Sequence, residues 1–233
     1  MDDVLAFENL LKKRKATRSF LPIKIEENLI KKIFSCARFC PSNCNTQPWF
    51  SAVVSGEKLQ LLREKILISV NNGEFTYDFP YDGKYIDIYR DRQRNAAKAL
   101  YQAMNIEKKD KLKRESFLLE NFSFFGAPHV AFLFLPGCFT ENGRQAVREA
   151  ADLGIYSQTL MLSMAAYGVY SCPQTSLSFV ADTVRNFLGI SQDLKLLFGI
   201  SFGYPDKKHP SYNLKVGRAP LSENVRFFDS SES

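Results

Sequence analysis

Two arginines stand four residues apart just after the first predicted helix, in the stretch Arg14–Lys15–Ala16–Thr17–Arg18. Cations at this spacing can converge on one anion, and the fork of a guanidinium group matches pairs of phosphate oxygens. Basic residues also commonly follow the last turn of a helix, where they interact favourably with the helix dipole. The stretch alone therefore leaves two interpretations open, a phosphate site and an ordinary helix end.

A second polar segment lies between Pro41 and Pro48 and carries a hydroxyl and several amides, on Ser42, Asn43, Asn45 and Gln47. Amide side chains both donate and accept hydrogen bonds, as recognition of the edge of a heteroaromatic ring requires. The flanking prolines stiffen the loop, which lowers the entropy cost of ordering it on a ligand. The alternative is an ordinary turn before a strand, with Trp49 packed in the core.

The sequence holds little else that could act as an acid, a base or a metal ligand. It has two histidines, and no motif pairs a nucleophile with a base. Cys36, Cys40 and Cys44 recur at helical spacing, but Pro41 would break a helix before Cys44, and radical-type iron–sulfur clusters use another spacing. We therefore expect no metal site, and we expect the cysteines to pack as small buried hydrophobic residues.

The composition describes a globular chain with a mild excess of positive charge. Its 233 residues are 45% hydrophobic, which is enough apolar surface to bury a core. No apolar stretch approaches the roughly 18 residues of a spanning helix, and no secretory signal opens the sequence. We expect a cytoplasmic protein without a membrane partner. The net charge of +6 comes without dense basic runs, so nucleic acid is not an expected partner.

Helices and strands alternate along the chain without a repeat or a linker, which predicts one domain over residues 1–233. Apolar periodicity predicts helices over about 3–13, 26–39, 57–70, 85–105, 108–123, 144–167 and 178–188. Apolar runs predict strands over about 49–54, 130–135 and 194–204. This pattern indicates a central sheet between helices, and no G-x-G-x-x-G follows a strand as a Rossmann domain would require.

Three segments carry more specific expectations. The helix over 144–167 is apolar on nearly every side in its middle, which predicts full burial. Residues 71–83 are rich in aromatic and turn-forming residues, which predicts an exposed loop. Residues 205–233 predict an extended C-terminal arm, with a short extended piece over 225–228.

Several segments, in this order, resemble the FMN-dependent nitroreductase family. They are RKATRSF (14–20), PSNCNTQPW (41–49), NFSFFGAP (121–128), GIYSQTLMLSMAAYGVYSCPQ (154–174), GISFGYPD (199–206) and GRAPLSE (217–223). The stretch YRDRQRNAAKALYQAMNI (89–106) looks most like the 4-nitrobenzoate reductase-like branch. The resemblance implies an α+β fold with a central, mostly antiparallel or mixed sheet sandwiched by helices. It also implies an intertwined homodimer with FMN at two sites, each built from both chains.

The resemblance implies a role at the FMN site for each matching residue of the arginine stretch. Arg14 would grip the FMN phosphate together with Arg218, and Arg18 would lie beside N1 and O2 of the flavin, where reduction places negative charge. Lys15 and Ala16 would contact the cofactor mainly through backbone atoms. Ala16 stands where the family usually has serine, which puts one hydroxyl contact in doubt.

The remaining implied contacts come from two loops and one amide. Asn121 would bond the pyrimidine edge, and a loop of four residues would pass the ring with the N–H of Thr175 at flavin N5, namely Pro173, Gln174, Thr175 and Ser176. The partner subunit would contribute the other loop, with Pro41, Ser42, Asn43, Asn45 and Gln47.

The function implied by the resemblance is a ping-pong reduction. NADH or NADPH would deliver hydride to flavin N5, and a nitroaromatic, quinone or similar small acceptor would then be reduced at the same place. The chemistry would need no catalytic residue from the protein. Two alternatives stay open: another reduction on the same FMN scaffold, such as dehalogenation or enone reduction, and a non-catalytic flavin-binding or basic interaction protein.

Overall fold

A four-stranded antiparallel sheet forms the centre of the structure. The computed structural model describes residues 2–142 and 144–228. The strands lie in the order β1-β2-β4-β3, and their bounds are Phe50–Ser55 for β1, His129–Pro136 for β2, Tyr170–Gln174 for β3 and Leu194–Gly203 for β4. Each neighbouring pair is antiparallel, which confirms the α+β class and settles the sheet as antiparallel rather than mixed.

The strand β3 was not predicted from the sequence, because it is short and contains Pro173. Proline lacks an N–H and is tolerated where no ladder partner needs that donor. β3 lies at one edge of the sheet, next to β4 alone. The edge position therefore accommodates a proline that argues against a strand in the sequence.

The predicted helices are all present, with ends shifted by a few residues. In chain order they are α1 (Asp2–Lys13), α2 (Glu27–Ala37), α3 (Gly56–Asn71), α4 (Asp87–Ala103), α5 (Lys111–Phe122), α6 (Val147–Ala166) and α7 (Ala181–Leu188). The segment Thr175–Phe179 before α7 is a separate 3₁₀ turn. The C-terminal arm, predicted as loop, contains a 3₁₀ turn at Pro210–Asn213 and a short helix α8 (Leu221–Asn224), and its residues 229–233 lie outside the described part.

Both faces of the sheet are buried, and β2 shows why. Successive side chains of a strand point to opposite faces, so Phe132 and Phe134 enter one core while Leu133 and Leu135 enter the other. The first core is closed by α3, α5 and α7, and the second by α2 and α6. Since each side chain of β2 needs an apolar environment, the strand is a continuous apolar run in the sequence.

The helix α6 differs from its prediction of full burial. One side packs against α2 and the sheet, but a stripe on the other side is exposed in the single chain. Val147 and Arg148 are exposed in the first turn, and the exposed residues after them are small, apolar or uncharged: Ala151, Gly154, Ile155, Gln158 and Ala166. Beyond its first turn the helix therefore has an uncharged face that no described residue covers.

The cysteines are all free, and the expectation that they are buried holds for two of the five. Cys40 and Cys172 are buried, whereas Cys36, Cys44 and Cys138 are exposed. Among the described residues, no group of three or more potential ligands is placed to hold a metal ion. Within the same part of the chain, no helix is both long and apolar enough to cross a bilayer.

The aromatic loop after α3 is anchored more firmly than its composition predicts. Arg185 of α7, 3% exposed, forms ion pairs with Asp78 of the loop and with Asp182. The Asp78 carboxylate also accepts the N–H of Leu196 at 2.7 Å. Thr76 adds a bridge to the segment before α7, since its N–H donates to the carbonyl of Phe179 at 2.9 Å. The loop is thus fixed to α7 and to the start of β4.

The Arg185 ion pairs give a stability prediction. Arg185→Ala leaves the Asp78 carboxylate buried without its cation, which costs about 3–5 kcal/mol of unfolding free energy. Urea denaturation measures this loss. Lys31→Ala is the matched control, because its pair with Glu27 is exposed and such pairs contribute about 1 kcal/mol or less. Losses of equal size in the two variants would contradict the prediction.

A buried histidine at the start of β2 resists protonation. The Nε2 of His129 accepts the N–H of Ile25 at 2.9 Å, and its ring stacks on Phe202. Burial, with a smaller contribution from the charge of Lys24, lowers the pKa of His129 to about 4. Protonation would also break the bond from Ile25, so the neutral ring belongs to the folded state.

This lowered pKa makes the stability depend on pH. In the unfolded chain the histidine takes up a proton near pH 6.5, so its stabilising contribution is complete above that pH and is lost as the pH falls towards 4. The loss amounts to at most about 3 kcal/mol. His129→Gln keeps an acceptor for Ile25 but does not titrate. Denaturation at pH 7 and pH 4 should show a smaller acid-induced loss in the variant, and equal losses would refute this assignment.

Candidate active site

The arginine stretch runs alongside the outer edge of β3. Ala16 forms a parallel bridge with Ser171, and the N–H of Thr17 donates to the Ser171 carbonyl at 2.9 Å. Thr17 is buried, whereas Arg14, Ala16 and Arg18 are half-buried along this edge.

Lys15 holds the C-terminal arm in place. Its ammonium donates to the backbone carbonyl of Tyr212 and lies 3.4 Å from the centroid of the Tyr212 ring. Further along the arm, Glu223 pairs with Arg92 of α4 at 2.8 Å. These two anchors flank Arg218 and bring it back to the end of α1.

Arg14 and Arg218 lie close enough for their charges to repel. Burial lowers the pKa of Arg14, and the charge of Arg218 lowers it further. Within the described residues, neither guanidinium has a carboxylate at ion-pair distance. Arg218 instead donates to the carbonyls of Val216 and Gly217, at 3.0 Å each. Two cations held together without an acid form a site for an anion.

Arg18 places a third cation beside the end of β3. Its guanidinium reaches back towards the Ala16 carbonyl at 3.5 Å. Burial raises the pKa of the Cys172 thiol to about 11, and the positive charge of Arg18 opposes that increase. The charge of Arg18 therefore acts directly on β3, within two residues of Gln174.

The end of β3 is fixed by the side chain of Gln174, which is 3% exposed. Its amide nitrogen donates to the Asn121 carbonyl at 2.7 Å, and its oxygen accepts the hydroxyl of Ser201. The Gln174 side chain is thus occupied inside the protein, while Pro173 and Thr175 on either side are exposed. Ser176 is half-buried at the start of the 3₁₀ turn. The Asn121 amide is held by the Leu118 carbonyl at 3.3 Å.

The 3₁₀ turn after Thr175 lies directly on the sheet because position 199 is glycine. A Cβ at Gly199 would come within 2.5 Å of the Leu177 side chain, which is closer than carbon atoms approach in proteins. Any larger residue would push the turn away from β4. The glycine therefore sets how closely this turn approaches β4.

The loop from Pro41 to Pro48 has an unusual backbone. Cys44, Asn45 and Gln47 all have positive φ, at 49°, 56° and 47°. The Ser42 hydroxyl oxygen accepts the N–H of Gln47 at 3.0 Å, and the Gln47 amide donates to the Asn45 carbonyl at 3.1 Å. The side chains of Ser42 and Gln47 thus stabilise the loop itself. Strained backbone of this kind is common at functional sites.

The predicted site residues fall into two separate groups in the single chain. In the described part of the chain, no hydrogen bond joins the loop 41–48 to the arginine stretch or to the end of β3. Trp49, predicted to be in the core, is half-buried and stacks on Tyr156 of α6 with ring centroids 4.8 Å apart. One chain therefore carries two groups of predicted site residues, a cationic one and an amide-bearing one, which are called the two half-sites below.

The structure adds residues to the site that the sequence did not single out. Ser201 and Tyr212 position Gln174 and Lys15, and Asp152 of α6 accepts the N–H of Asn43. A signal for Asp152 does exist, because it is the sole charged residue between 150 and 166. Ser201 and Tyr212 act through contacts between distant segments, which no local pattern reveals.

Comparison with known proteins identifies the family. The model of the nitroreductase family matches residues 11–204. The chain belongs to the nitroreductase family. This confirms the resemblance to the family. The matched region includes both half-sites except for Arg218, which lies in the last of the six segments, beyond residue 204.

Individual members of the nitroreductase family match over nearly the whole chain. Nitroreductase NfnB of Mycolicibacterium smegmatis is 42% identical over 97% of this chain and 94% of the relative. The crystal structure of this FMN-dependent enzyme in complex with NADPH superposes with a TM-score of 0.91, covering 97% of this chain and 99% of the other. The 4-nitrobenzoate reductase of Pseudomonas putida is 32% identical over 91% of each chain. The last match agrees with the branch predicted from residues 89–106.

Proposed function

We propose that this protein is an FMN-dependent oxidoreductase that uses NADH or NADPH to reduce nitroaromatics, quinones or similar acceptors. The observation that carries the proposal is the approach of Arg14 and Arg218 without a neighbouring carboxylate. The names of its relatives support the same function, since NfnB is described as FMN-dependent and was crystallised with NADPH. No side chain is proposed as a catalytic acid, base or nucleophile.

The residues of the cationic half-site fit FMN. A phosphate monoester carries close to two negative charges at neutral pH, which would offset the repulsion between Arg14 and Arg218. The bridge between Ala16 and Ser171 keeps the stretch from Arg14 to Arg18 next to β3. Ala16 has no hydroxyl to add there, so the two arginines carry more of the phosphate binding. The Lys15 ammonium is bound to the arm, which supports a contact with the cofactor through its backbone alone.

When bound, FMN would supply the redox chemistry, taking hydride from the nicotinamide and passing electrons to the acceptor. The chain's part is to bind and polarise. Arg18 would stabilise negative charge on the pyrimidine side of the ring. Gln174, locked between Asn121 and Ser201, would hold the exposed Pro173 and Thr175 against the ring edge. Ser176, in the turn after β3, and the Asn121 amide, near the end of α5, are the other proposed contacts of this group.

We propose that two chains form an intertwined homodimer and that the loop 41–48 completes the site of the partner. The exposed apolar stripe of α6 supports this, because covering it would bury Ile155 and its small neighbours. β1 lies at the edge of the sheet with Phe50 and Val53 exposed, and such an edge readily pairs with another chain. Phe227 and Phe228 of the arm are also exposed, so a partner chain that covers them would bury further apolar area.

Three finer predictions from the sequence remain proposals. The two cores share one sheet, which supports a single domain over residues 1–233. Five free cysteines are typical of a reducing compartment and support the cytoplasm. The acceptor is proposed only as a small aromatic or quinone-like molecule. Assays of different acceptors with the FMN-loaded protein distinguish nitro reduction from another FMN-dependent reaction. A flavin-binding protein without catalytic activity would leave NADPH unconsumed in all of these assays.

The phosphate assignment predicts the effect of two substitutions. Removing one charge-assisted contact, as in Arg14→Gln or Arg218→Gln, should weaken FMN binding about 10- to 100-fold. Quenching of FMN fluorescence measures the affinity, and bleaching of the flavin by NADPH without oxygen measures its reduction, the first half of the reaction. Lys215→Gln is the control, since it removes an exposed neighbouring cation. Unaltered affinity in both arginine variants would exclude this phosphate site, and wild-type protein that binds no FMN would exclude the function.

The shared site predicts that dimer formation and FMN binding are lost together. Ile155→Asp places a charge in the exposed stripe of α6 and should give monomers that retain little FMN. Light scattering after gel filtration gives the mass, and absorbance gives the FMN content. Leu61→Asp, on an exposed face of α3, is the control and should remain dimeric. Wild-type monomers with full FMN occupancy would rule out the shared site.

A further inference from the structure

A buried acid connects the strained loop 41–48 to the core. Asp152 of α6 is 6% exposed, and both of its carboxylate oxygens lie 3.1 Å from the backbone nitrogen of Asn43. In the described part of the chain, these are the hydrogen bonds that join the loop to another segment. The carboxylate has no cationic partner within the same residues. A buried carboxylate paired with one backbone N–H is costly to keep, so its presence needs an explanation.

The loop itself explains why this N–H needs an acceptor from outside. The carbonyls of Ser42 and Asn43 accept the N–H groups of Asn45 and Thr46, at 3.0 and 3.1 Å. The Ser42 hydroxyl accepts the N–H of Gln47. The N–H of Asn43, at the start of the 3₁₀ turn Asn43–Asn45, has no acceptor within the loop. Asp152 supplies that acceptor from the helix.

The strain in the loop requires such a connection. A left-handed conformation costs a residue without special side-chain chemistry about 1–2 kcal/mol, and Cys44 and Gln47 both adopt it. Conformations of this kind persist when the surrounding structure enforces them. Burial raises the pKa of the neighbouring Cys40 thiol, and the charge of Asp152 adds to that increase.

We infer that Asp152 is a positioning residue, which holds the loop 41–48 in the conformation that binds the flavin site of the partner subunit. The inference rests on the proposed function, since that function makes this loop part of the FMN site. Asp152 does not touch the cofactor. It acts through the backbone of Asn43, and without it the loop should relax and present its amides poorly.

The test compares three variants. Asp152→Ala removes the acceptor, Asp152→Asn keeps one oxygen acceptor at nearly the same volume, and Ser157→Ala is a matched control. Ser157 is also buried on α6, but its hydroxyl donates to the Gly154 carbonyl within the same helix. If Asp152→Ala does not fold, Asp152→Ser replaces it, because a serine is too short to bond Asn43.

The first readout needs no cofactor. Trp49, the one tryptophan of the sequence, follows the loop directly and stacks on Tyr156. In cofactor-free protein, Asp152→Ala should make Trp49 at least about two-fold more sensitive to acrylamide quenching, whereas Asp152→Asn and Ser157→Ala should match the wild type. Unchanged quenching in Asp152→Ala overturns the inference, whether or not FMN binds.

The second readout links the loop to the site. FMN should bind Asp152→Ala about 10-fold or more weakly, with an altered visible circular dichroism at saturation, and Asp152→Asn should restore both. Gel filtration should show that all variants keep the oligomeric state of the wild type. Loss of urea stability in Asp152→Ala with normal FMN affinity and dichroism would leave Asp152 a purely structural residue. Wild-type protein that binds no FMN would instead refute the proposed function.

Discussion

The repulsion between Arg14 and Arg218 is the interaction that the arrangement of the site depends on. Like charges separate unless something holds them, and here the fold holds both. Arg14 follows α1 and is fixed by the bridge of Ala16 to β3, while Arg218 is returned by the anchors of the C-terminal arm. An anion removes the repulsion and adds two charge-assisted contacts. The protein is thus organised around a negative ligand.

Much of the fold follows from short-range patterns in the sequence. Periodicity predicts the helices, and a continuous apolar run predicts β2. Because β2 is buried on both faces, its sequence does not alternate between polar and apolar residues. β3 was missed because Pro173 argues against a strand unless its edge position is known. The anchoring of the 71–83 loop was missed for another reason: Asp78 and Arg185 are more than a hundred residues apart. Local sequence does not say which buried charges will meet.

The site was predictable in residue type but only partly in geometry. The stretch around Arg14 and Arg18 and the amide loop were recognised from their side chains and order. In the structure, however, some of these side chains bind other parts of the chain. Lys15 binds the arm, and the Gln174 amide forms its hydrogen bonds inside the protein. Positioning contacts of this kind depend on tertiary neighbours. The exposed face of α6 has a similar cause. An apolar helix in the sequence predicts burial, but it does not indicate whether the same chain or another chain covers the helix.

The proposed division of the site between two chains would have a thermodynamic consequence. If the loop 41–48 of one chain contacts a cofactor held by Arg14 of the other, binding and association share a free energy. The cofactor then tightens the dimer by the same factor by which the dimer tightens the cofactor. The strain at Cys44 and Gln47 fits this coupling, because a loop kept in its binding conformation by Asp152 loses little entropy when the second chain arrives. Pre-organisation within each chain therefore determines how strongly the two events are coupled.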